Sequence, residues 1–302
     1  MRAETGNSPL LSILLVNYND GAHLPECLSS IETNAGAVDH EVIVVDNAST
    51  DGSPELIAER FPRIRIIRNS RNEGFGRANN RALREGRGKF ILFLNTDVVL
   101  HPGALDLLLA EMAADPLTGI AGPALLNPEN SFQVSFGNRV GFFTEAFKKA
   151  FLNRAIQRGL RKSRGRREVG WVSGAFLLAR KKALLDAGPF DERFFLYFED
   201  IDLCRRAVEK GWKVIFLPRA VSFHWGGATT AGRRLKSRLE YRKSQLLFYR
   251  KHNSRASLAL LRLYLKLDFA ALSLSGAFRK EPGDLRREFM DLLAAPARSE
   301  HE

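Results

Sequence analysis

Three carboxylates lie within four positions of one another in the segment FFLYFEDIDLCRRA, residues 194 to 207. They are Glu199, Asp200 and Asp202, and they follow a run of five residues of which four are aromatic. Carboxylates beside apolar side chains are usually paired with a cation, bound to a metal ion or used in proton transfer, because burying an unpaired charge is expensive. The segment is therefore a candidate catalytic site.

A structural explanation for these acids stays open beside the catalytic one. A helix that begins near Asp200 and ends at Gly211 would place all three carboxylates at its positive N-terminal end. Asp202 is also spaced to pair with Arg205 or Arg206 along such a helix. We interpret Asp200 as the main catalytic candidate, with Glu199 beside it, and Asp202 as a residue that stabilises the helix.

Strands and helices alternate in the first part of the chain. Four short apolar runs each end in Asn or Asp and predict strands at residues 11–17, 41–46, 64–69 and 89–95. Helical patterns follow them at about residues 20–33, 53–60, 76–86 and 102–114. This alternation predicts parallel strands joined by right-handed crossovers, with helices on both faces of the sheet.

The strand ends supply a second group of candidate residues. In an open α/β sheet these ends meet at the edge where ligands bind. The side chains that should converge there are Asn17, Asp46, Asn69 and Asp97. Polar strand ends are also ordinary loop starts, and a dinucleotide-binding domain is a competing interpretation. The first turn, VNYNDG, lacks the GxGxxG pattern of such domains, and GFG at 74–76 comes one strand and helix too late.

Length and composition indicate a globular protein. The chain has 302 residues, of which 45% are hydrophobic, so it can form one large α/β domain with an appendage. No segment resembles a secretory signal or offers about twenty uninterrupted apolar residues, which favours a cytosolic or peripheral protein. Cys27 and Cys204 lie far apart without metal-binding spacing, so we expect buried thiols in a reducing compartment.

The net charge of +12 is concentrated in two segments. Residues 139–168 carry ten Lys or Arg against two Glu, and residues 233–266 carry eleven against one. Such segments suit a phosphate-bearing partner, which could be nucleic acid, an anionic membrane or a diphosphate substrate. A nucleic-acid-binding α/β protein is thus one alternative, with Tyr18, Phe75 or Trp225 stacking on bases. The basic residues avoid the motif-bearing strands, which argues against it.

Seven motifs, taken in order, resemble the family 2 glycosyltransferases. They are VNYN (16–19), VVDNASTDGS (44–53), RNEGFGRANN (71–80), FLNTDVVL (93–100), GWVSGAFLLAR (170–180), GPFDERFFLYFEDIDLCRRA (188–207) and HWGG (224–227). The resemblance covers residues 10 to about 250 and extends to the bacterial rhamnosyltransferase-like subset. It is specific for fold and reaction class and much less specific for the sugar.

The resemblance implies an α/β fold of the GT-A type. This is a Rossmann-like, mixed and mostly parallel sheet with helices on both faces, followed by a C-terminal helical appendage. The implied catalytic domain spans residues 1–232, with a nucleotide-sugar-binding half at 10–125 and an acceptor and catalytic half at 126–232. Residues 233–302 are then a basic amphipathic helical region.

The reaction implied by the resemblance is an inverting transfer of a sugar from a nucleotide diphosphate to an acceptor hydroxyl. Such a displacement needs a base for the hydroxyl and a cation for the departing diphosphate. The family resemblance assigns the base to Asp200, with Glu199 beside it, and the Mg²⁺ or Mn²⁺ ligands to Asp97 and His224. The family motif usually has two acids in FLNTDVVL, but the first position here is Asn95. For His224, packing or hydrogen bonding without a metal is the alternative.

Donor and acceptor contacts are also implied by the resemblance. The residues expected to bind the nucleotide donor are Asn17, Tyr18, Asn19, Asp46, Asn47, Asn72, Gly74, Phe75, Asn79, Asn95 and Thr96. An acid at Asp46 selects for a pyrimidine NH, so dTDP and UDP sugars both fit. Asn79 and Asn80 could instead form turns and helix caps. The residues expected on the acceptor side are Trp171, Ser173, Gly174 and Trp225, with core packing as the alternative for Trp171.

The expected function is transfer of rhamnose from dTDP-rhamnose to a glycan or lipid-linked acceptor in cell-surface polysaccharide synthesis. The alternatives are a UDP-hexose-dependent transferase of the same family and a nucleotidyltransferase, which would release pyrophosphate. No nucleic-acid partner is expected, and a homo-oligomer stays open.

Two segments suggest a location at the cytoplasmic face of the cell membrane. The pattern at 256–278 predicts an amphipathic helix too charged to span a bilayer, lying on an anionic membrane or packing on protein. The basic insert at 139–168 could cover the active site, meet a lipid diphosphate, or form a solvated loop.

Overall fold

The computed structural model describes residues 8–35, 37–138, 140–141, 165–226, 234–275 and 283–294. Most of the basic insert predicted at 139–168 lies outside these residues. The end of the 256–278 segment and the last residues of the chain also lie outside them.

The first half of the chain alternates strands and helices as the sequence predicts. Its elements are β1 (Leu11–Asn17), α1 (Leu24–Asn34), β2 (His40–Asp46), α2 (Ser53–Arg60), β3 (Arg65–Arg68), α3 (Phe75–Glu85), β4 (Phe90–Asn95), β5 (Val98–Leu100) and α4 (Ala104–Ala114). Two helices begin later than predicted. Asp20 forms a turn in which its carbonyl accepts from the N–H of Leu24, and Gly103 precedes α4 with φ +76°. Pro102 therefore lies before α4, not inside its first turn.

In the second half, the described residues form several strands, two helices and a long final strand. Its elements are β6 (Thr118–Leu126), β7 (Phe136–Gly137), β8 (Arg167–Glu168), β9 (Trp171–Val172), β10 (Phe176–Arg180), α5 (Lys181–Ala187), α6 (Glu199–Glu209) and β11 (Lys213–His224). Three helices follow: α7 (Arg234–His252), α8 (Arg255–Leu274) and α9 (Gly283–Ala294).

In the described part of the chain, nine strands form one sheet in the order β3-β2-β1-β4-β10-β6-β11-β5, with β8 paired to β11. The strands β3, β2, β1, β4, β6 and β11 run in one direction, whereas β10, β5 and β8 run against it. This confirms the predicted mixed and mostly parallel sheet. The antiparallel β10 lies between β4 and β6 and brings residues 173–175 next to the end of β4.

Helices cover both faces of the sheet, as predicted, because side chains alternate between the faces along each strand. Leu11, Ile13 and Leu15 of β1 join a core cluster with residues of α1, α2 and α4. Leu14 joins a second cluster on the opposite face with residues of α3, α5 and α6. Both faces of the sheet are therefore buried. The place where a ligand can bind is the edge formed by the ends of the strands.

The three C-terminal helices pack against the segment that precedes α6. Phe194 and Phe198 share a core cluster with Phe248 of α7 and with the inner leucines of α8. Helix α9 adds Leu285 and Phe289 to a smaller cluster around Leu239 of α7. The predicted boundary between the catalytic domain and the helical region, at residues 232 and 233, is thus followed by helices that pack directly against the segment before α6.

Asp202 of α6 is fully buried and joins α6 to the end of α7. Its Oδ1 atom lies 2.7 Å from Lys251 Nζ and 2.7 Å from His252 Nε2, and its Oδ2 accepts from Arg206 Nε at 2.8 Å. Burial alone would raise the pKa of Asp202, but the hydrogen bonds from His252 and Lys251 and the charge of Arg206 lower it. The pairing with Arg206 confirms the structural interpretation of this acid.

We predict that Asp202→Ala lowers the free energy of unfolding by about 3–5 kcal/mol, because it leaves buried cations without their carboxylate. Urea unfolding at pH 7 measures this loss. A carboxyl whose pKa is lowered by folding stabilises the protein above its unfolded pKa of about 3.9 and loses that effect as the pH falls. The difference from wild type should therefore shrink below about pH 4.

Glu209→Ala breaks an exposed pair with Arg205 on the same helix and should cost less than about 1 kcal/mol. Equal losses in the two variants would contradict the assignment.

Candidate active site

The polar ends of the first three strands converge, as the sequence predicts. Asn17 Nδ2 donates to Asp46 Oδ1 at 2.9 Å, and Asn69 Nδ2 donates to Asn47 Oδ1 at 2.8 Å. Asp46 Oδ2 also accepts from the backbone N–H of Ser49. Asn17 and Asp46 are buried and hold the loops that follow β1 and β2.

A cavity of about 820 Å³ opens at this edge of the sheet. It contains nine of the residues predicted to bind donor or metal: Tyr18, Asn47, Asn72, Gly74, Phe75, Asn95, Thr96, Asp97 and His224. The segment before α6 contributes Arg193, Phe195, Leu196 and Tyr197. Helix α7 contributes Lys236, Ser237, Glu240, Lys243, Ser244 and Leu247. Residues far apart in sequence thus form one concave surface, as a ligand site requires.

Four predicted donor residues are not among the described residues that line this cavity: Asn17, Asn19, Asp46 and Asn79. Asn19 Oδ1 accepts from the backbone N–H of Thr50 at 2.7 Å and ties the two loops together. Asn79 is buried, and its Nδ2 donates to the Phe75 carbonyl within α3. Asn19 thus stabilises the loops after β1 and β2, and the side chain of Asn79 is bonded within α3.

The part of the cavity wall formed by Gly74 and Phe75 is bonded directly to the segment before α6. Gly74 has φ +84°, and a Cβ placed there would lie 2.5 Å from the carbonyl oxygen of Phe195. The backbone N–H of Phe75 donates to that same oxygen at 2.8 Å. Only glycine fits this position, because it combines a left-handed backbone with close contact to another chain segment.

Asp97 and His224 form a close pair on the cavity wall. Asp97 Oδ1 lies 3.2 Å from His224 Nε2. Burial would raise the pKa of Asp97, but the hydrogen bond and charge of His224 outweigh it, so the pKa is lowered. Asp97 is therefore an anionic oxygen ligand at neutral pH.

Gln133 is a site residue that the sequence motifs did not reveal. Its Nε2 atom donates to Asn127 Oδ1 at 2.5 Å and to the His224 carbonyl at 2.6 Å, which fixes the orientation of the amide. Its Oε1 therefore faces His224 Nδ1, at 2.6 Å, and requires a proton on that nitrogen. In the protonated ring, the Nε2–H group donates to Asp97 Oδ1, which is the hydrogen bond that lowers the pKa of Asp97; when that proton is lost, Nε2 presents a lone pair on the side of Asp97. The sequence offered no signal for this, since Gln133 is 91 positions away and outside the motifs.

A divalent cation beside the pair can take the place of the Nε2 proton, because Asp97 Oδ1 and the deprotonated Nε2 are then two electron-pair donors 3.2 Å apart. Among the described residues, no group of three or more His, Cys, Asp or Glu could hold a metal ion. Asp97 and His224 thus fit a divalent cation that takes its remaining ligands from a substrate.

Glu199 and Asp200 begin α6, directly after two residues with left-handed backbone, Tyr197 and Phe198, at φ 70° and 68°. Asp200 Oδ2 accepts from the backbone N–H of Gly174 at 2.7 Å, and Oδ1 accepts from that of Ile201 at 2.8 Å. These bonds fix the orientation of the carboxylate.

Burial raises the pKa of both carboxyl groups in this pair. For Glu199 the nearby charge of Asp200 adds to the effect, and Glu199 Oε2 has no hydrogen-bond partner among the described residues. For Asp200 the N–H groups of Gly174 and Ile201 offset part of the burial. Glu199 therefore holds a proton more strongly than Asp200, and the negative charge of the pair falls on Asp200 first.

The other predicted site residues surround these two centres. Gly174 contacts Asp200, and Ser173 Oγ accepts from the N–H of Ala175 at 3.3 Å. Trp225 is 44% exposed, and its backbone N–H donates to the Asp97 carbonyl at 2.9 Å. Trp171 is half-buried in β9. The described residues that line the 820 Å³ cavity include none of these four acceptor-side candidates and neither Glu199 nor Asp200. Tyr197 is the last residue before α6 that lines it.

Comparison with known proteins gives a consistent result. The chain matches the family model of glycosyl transferase family 2 over residues 12–186. It is 32% identical over 258 residues to the N-acetylglucosaminyl-diphospho-decaprenol L-rhamnosyltransferase of Mycobacterium tuberculosis strain H37Rv, which covers 79% of this chain and 83% of that protein. Glycosyltransferase AglE of Haloferax volcanii is 23% identical over 80% of this chain and 75% of its own.

Solved structures share the fold at low sequence identity. Mannosyltransferase PcManGT of Pyrobaculum calidifontis, solved with GDP-Man and Mn²⁺, has a TM-score of 0.54 at 17% identity, over 95% of this chain and 86% of that one. GalNAc-T7, solved with UDP, GalNAc and Mn²⁺, has a TM-score of 0.58 at 16% identity. The match covers 80% of this chain and 48% of that one.

The mixed sheet and its two helical layers define a fold of the GT-A type. The family model and the 32% identical relative show that the protein is a nucleotide-sugar glycosyltransferase. The chain belongs to glycosyl transferase family 2, since the family model covers more than half of it. The family and fold predicted from the motifs are thereby confirmed.

We predict that Gln133→Leu removes the preference of His224 for the Nδ1-protonated ring, because the acceptor for that proton is lost. Nitrogen-15 NMR of the histidine side chains reports the tautomer directly. Gln133→Glu keeps an acceptor oxygen and is the matched control. An unchanged tautomer in the leucine variant would show that Gln133 does not set it.

Gly174→Ala should displace the Asp200 carboxylate, because the new Cβ would lie 3.1 Å from Asp200 Cβ and 3.4 Å from Oδ2. A displacement on the order of 1 Å can cost about 100-fold in turnover, so we expect a fall of that size in kcat with little change in nucleotide binding. The control is Gly165→Ala, since an added Cβ meets nothing within 4 Å there. Equal turnover in the two variants would exclude a positional role for Gly174.

Proposed function

We propose that this protein is a metal-dependent, inverting transferase that moves rhamnose from dTDP-rhamnose to a hydroxyl of a lipid-linked glycan. Its place would be in cell-surface polysaccharide synthesis. The observation that carries this proposal is the 32% identity to the mycobacterial L-rhamnosyltransferase, whose name gives N-acetylglucosaminyl-diphospho-decaprenol as the acceptor.

Asp200 is the proposed base. In an inverting transfer, the acceptor oxygen bonds to the anomeric carbon as the bond from that carbon to the diphosphate oxygen breaks. The hydroxyl proton passes to a carboxylate oxygen of Asp200. A burial-raised pKa makes Asp200 a stronger base than an exposed aspartate, and Gly174 and Ile201 keep it oriented. Glu199, which holds a proton beside it, keeps the charge of the pair on Asp200.

Asp97 and His224 are the proposed ligands of Mg²⁺ or Mn²⁺. When bound, the cation would stabilise the negative charge that develops on the departing diphosphate. Asp97 is anionic, and the hydrogen bond from Nδ1 to Gln133 keeps a proton on that nitrogen, so Nε2 is the atom that would bind the cation in exchange for its own proton. Support comes from the two structural relatives, which were solved with Mn²⁺.

The donor is proposed to occupy the side of the cavity lined by Tyr18, Asn47, Asn72, Gly74 and Phe75. Amide and backbone groups there suit hydrogen bonding to a base and a ribose, and Tyr18 and Phe75 offer aromatic surface for stacking. In this proposal Asn95 and Thr96 approach the diphosphate. Asn17, Asn19, Asp46 and Asn79 support these loops. Asp46, whose oxygens accept from Asn17 and Ser49, is assigned this supporting role in place of the direct pyrimidine contact expected from the sequence.

The acceptor is proposed to approach from the α7 side. Lys236 and Ser237 line that end of the cavity, and Lys236 forms no ion pair with any other described residue. A cation and a hydroxyl there suit the diphosphate of a lipid-linked sugar. Trp171, Ser173, Gly174 and Trp225 remain proposed acceptor-side residues, with the exposed Trp225 best suited to contact a sugar face.

The proposal includes peripheral association with an anionic membrane at its cytoplasmic face, where a lipid-linked acceptor and a soluble nucleotide sugar meet. It retains the division into a catalytic domain at 1–232 and a helical region at 233–302. It includes no nucleic-acid partner.

The test is release of nucleoside diphosphate from a panel of dTDP and UDP sugars, with Mg²⁺ or Mn²⁺ and polyprenyl-diphosphate N-acetylglucosamine as acceptor. Asp200→Asn should reduce turnover by about 10²–10⁴-fold, with nucleotide binding nearly intact, because it removes the base. Asp97→Ala should instead weaken metal-dependent donor binding.

Glu209→Gln, an exposed position on the same helix, is the matched control. Release from a UDP-hexose alone would support the alternative donor class. Near-normal turnover of Asp200→Asn would overturn the base assignment.

A further inference from the structure

Helix α8 presents apolar side chains to solvent along one side. Leu263, Leu267 and Leu274 are 57, 63 and 89% exposed, and Leu260 is 37% exposed. Exposed large apolar side chains are ordinary when scattered singly, but a contiguous row usually marks an interaction surface.

The spacing of these leucines makes them a row. Positions 260, 263, 267 and 274 are three, four and seven residues apart, which places them on one face of a helix. Exposed alanines at 256, 259, 270 and 271 fall in the same row. At 1.5 Å per residue the row is about 27 Å long, so it runs along almost the whole helix.

The opposite side of α8 is committed to the protein. Leu258, Leu261 and Leu265 are buried against α7 and the segment before α6. Asp268, the only acid of α8, is bound by Arg238 and Arg242 of α7. The exposed face of the helix therefore carries no acid of its own.

Basic residues lie along one edge of the apolar row. Arg255, Arg262 and Lys266 all lie about 80–120° from its centre, on the same side, at 100° per residue. Among the described residues none of the three pairs with a carboxylate. Long basic side chains beside an apolar stripe can extend to anionic headgroups while the stripe enters the acyl region.

We propose that the exposed face of α8 is the surface through which this protein binds an anionic lipid bilayer, with α8 lying in the interface. Charge complementarity selects this occupant, since a row of leucines and alanines with a purely basic edge matches an apolar layer under negative headgroups. Within the described residues, no helix is long and apolar enough to cross a bilayer. This inference rests on the proposed function for its purpose, because α7, which connects to α8, lines the cavity that would receive the lipid-linked acceptor.

The test is co-sedimentation of the full chain with vesicles of phosphatidylcholine alone or with one-quarter phosphatidylglycerol. Wild type should bind the anionic vesicles at least ten-fold more tightly, and added salt should weaken the binding. The double variant Leu263→Glu, Leu267→Glu should lose at least ten-fold in affinity. Arg262→Gln combined with Lys266→Gln should remove the preference for anionic lipid.

Leu185→Glu is the matched control, since Leu185 is 74% exposed on α5 and lies outside the row. Circular dichroism establishes that each variant is folded. Equal vesicle binding by the α8 variant and the Leu185 control would overturn the inference. So would a wild-type dimer that the α8 variant converts to a monomer without any vesicle binding, since the row would then be a contact between two copies.

Transfer assays separate this inference from the proposed function. The α8 variant should keep transfer to a short-chain acceptor in solution and lose at least ten-fold with acceptor embedded in vesicles. Equal loss with both acceptors would count against a membrane role. Vesicle binding that depends on α8, without transfer to any acceptor, would support this inference and contradict the proposed function.

Discussion

The left-handed turn at Tyr197 and Phe198 is the constraint on which the site depends. Two consecutive non-glycine residues with positive φ cost on the order of 1–2 kcal/mol each, so the turn persists only because its surroundings fix it. Phe198 packs against Tyr241 and Phe248 of α7, at ring-centroid distances of 5.1 and 5.5 Å. The Leu196 carbonyl accepts from Ser244 Oγ at 2.7 Å. The direction in which α6 starts, and hence the position of Glu199 and Asp200, follows from these contacts with α7.

Charge is distributed so that neighbouring acids have different roles. Asp200 is fixed by backbone N–H groups, Glu199 has burial without a cation, and Asp202 is surrounded by Arg206, Lys251 and His252. Three carboxylates within four positions therefore have different protonation behaviour because each faces a different environment. The same separation applies on the other side of the site, where Asp97 is kept anionic beside a histidine.

The sequence was sufficient to predict features with local signals. Apolar runs ending in Asn or Asp predicted β1 to β4 to within a residue or two, and the ordered motifs predicted the family. Contacts between distant segments were not predictable in this way. Gln133 meets His224 across 91 positions, and Lys251 and His252 reach Asp202 across about 50, without any periodicity that links them. The insertion of β10 between β4 and β6 also depends on tertiary pairing, since a short apolar run does not specify its neighbours.

The contact between Gly74 and Phe195 has a consequence for how such an enzyme can change. The loop proposed to face the nucleotide is bonded to the segment before α6, which leads to Glu199 and Asp200. The carbonyl oxygen of Phe195 accepts from Phe75 and leaves no space for a side chain at Gly74. A substitution that reshapes the loop for a different nucleotide would therefore also move the segment before α6. A variant with a new nucleotide preference would therefore keep its turnover only if residues 72–75 and 193–198 were changed together.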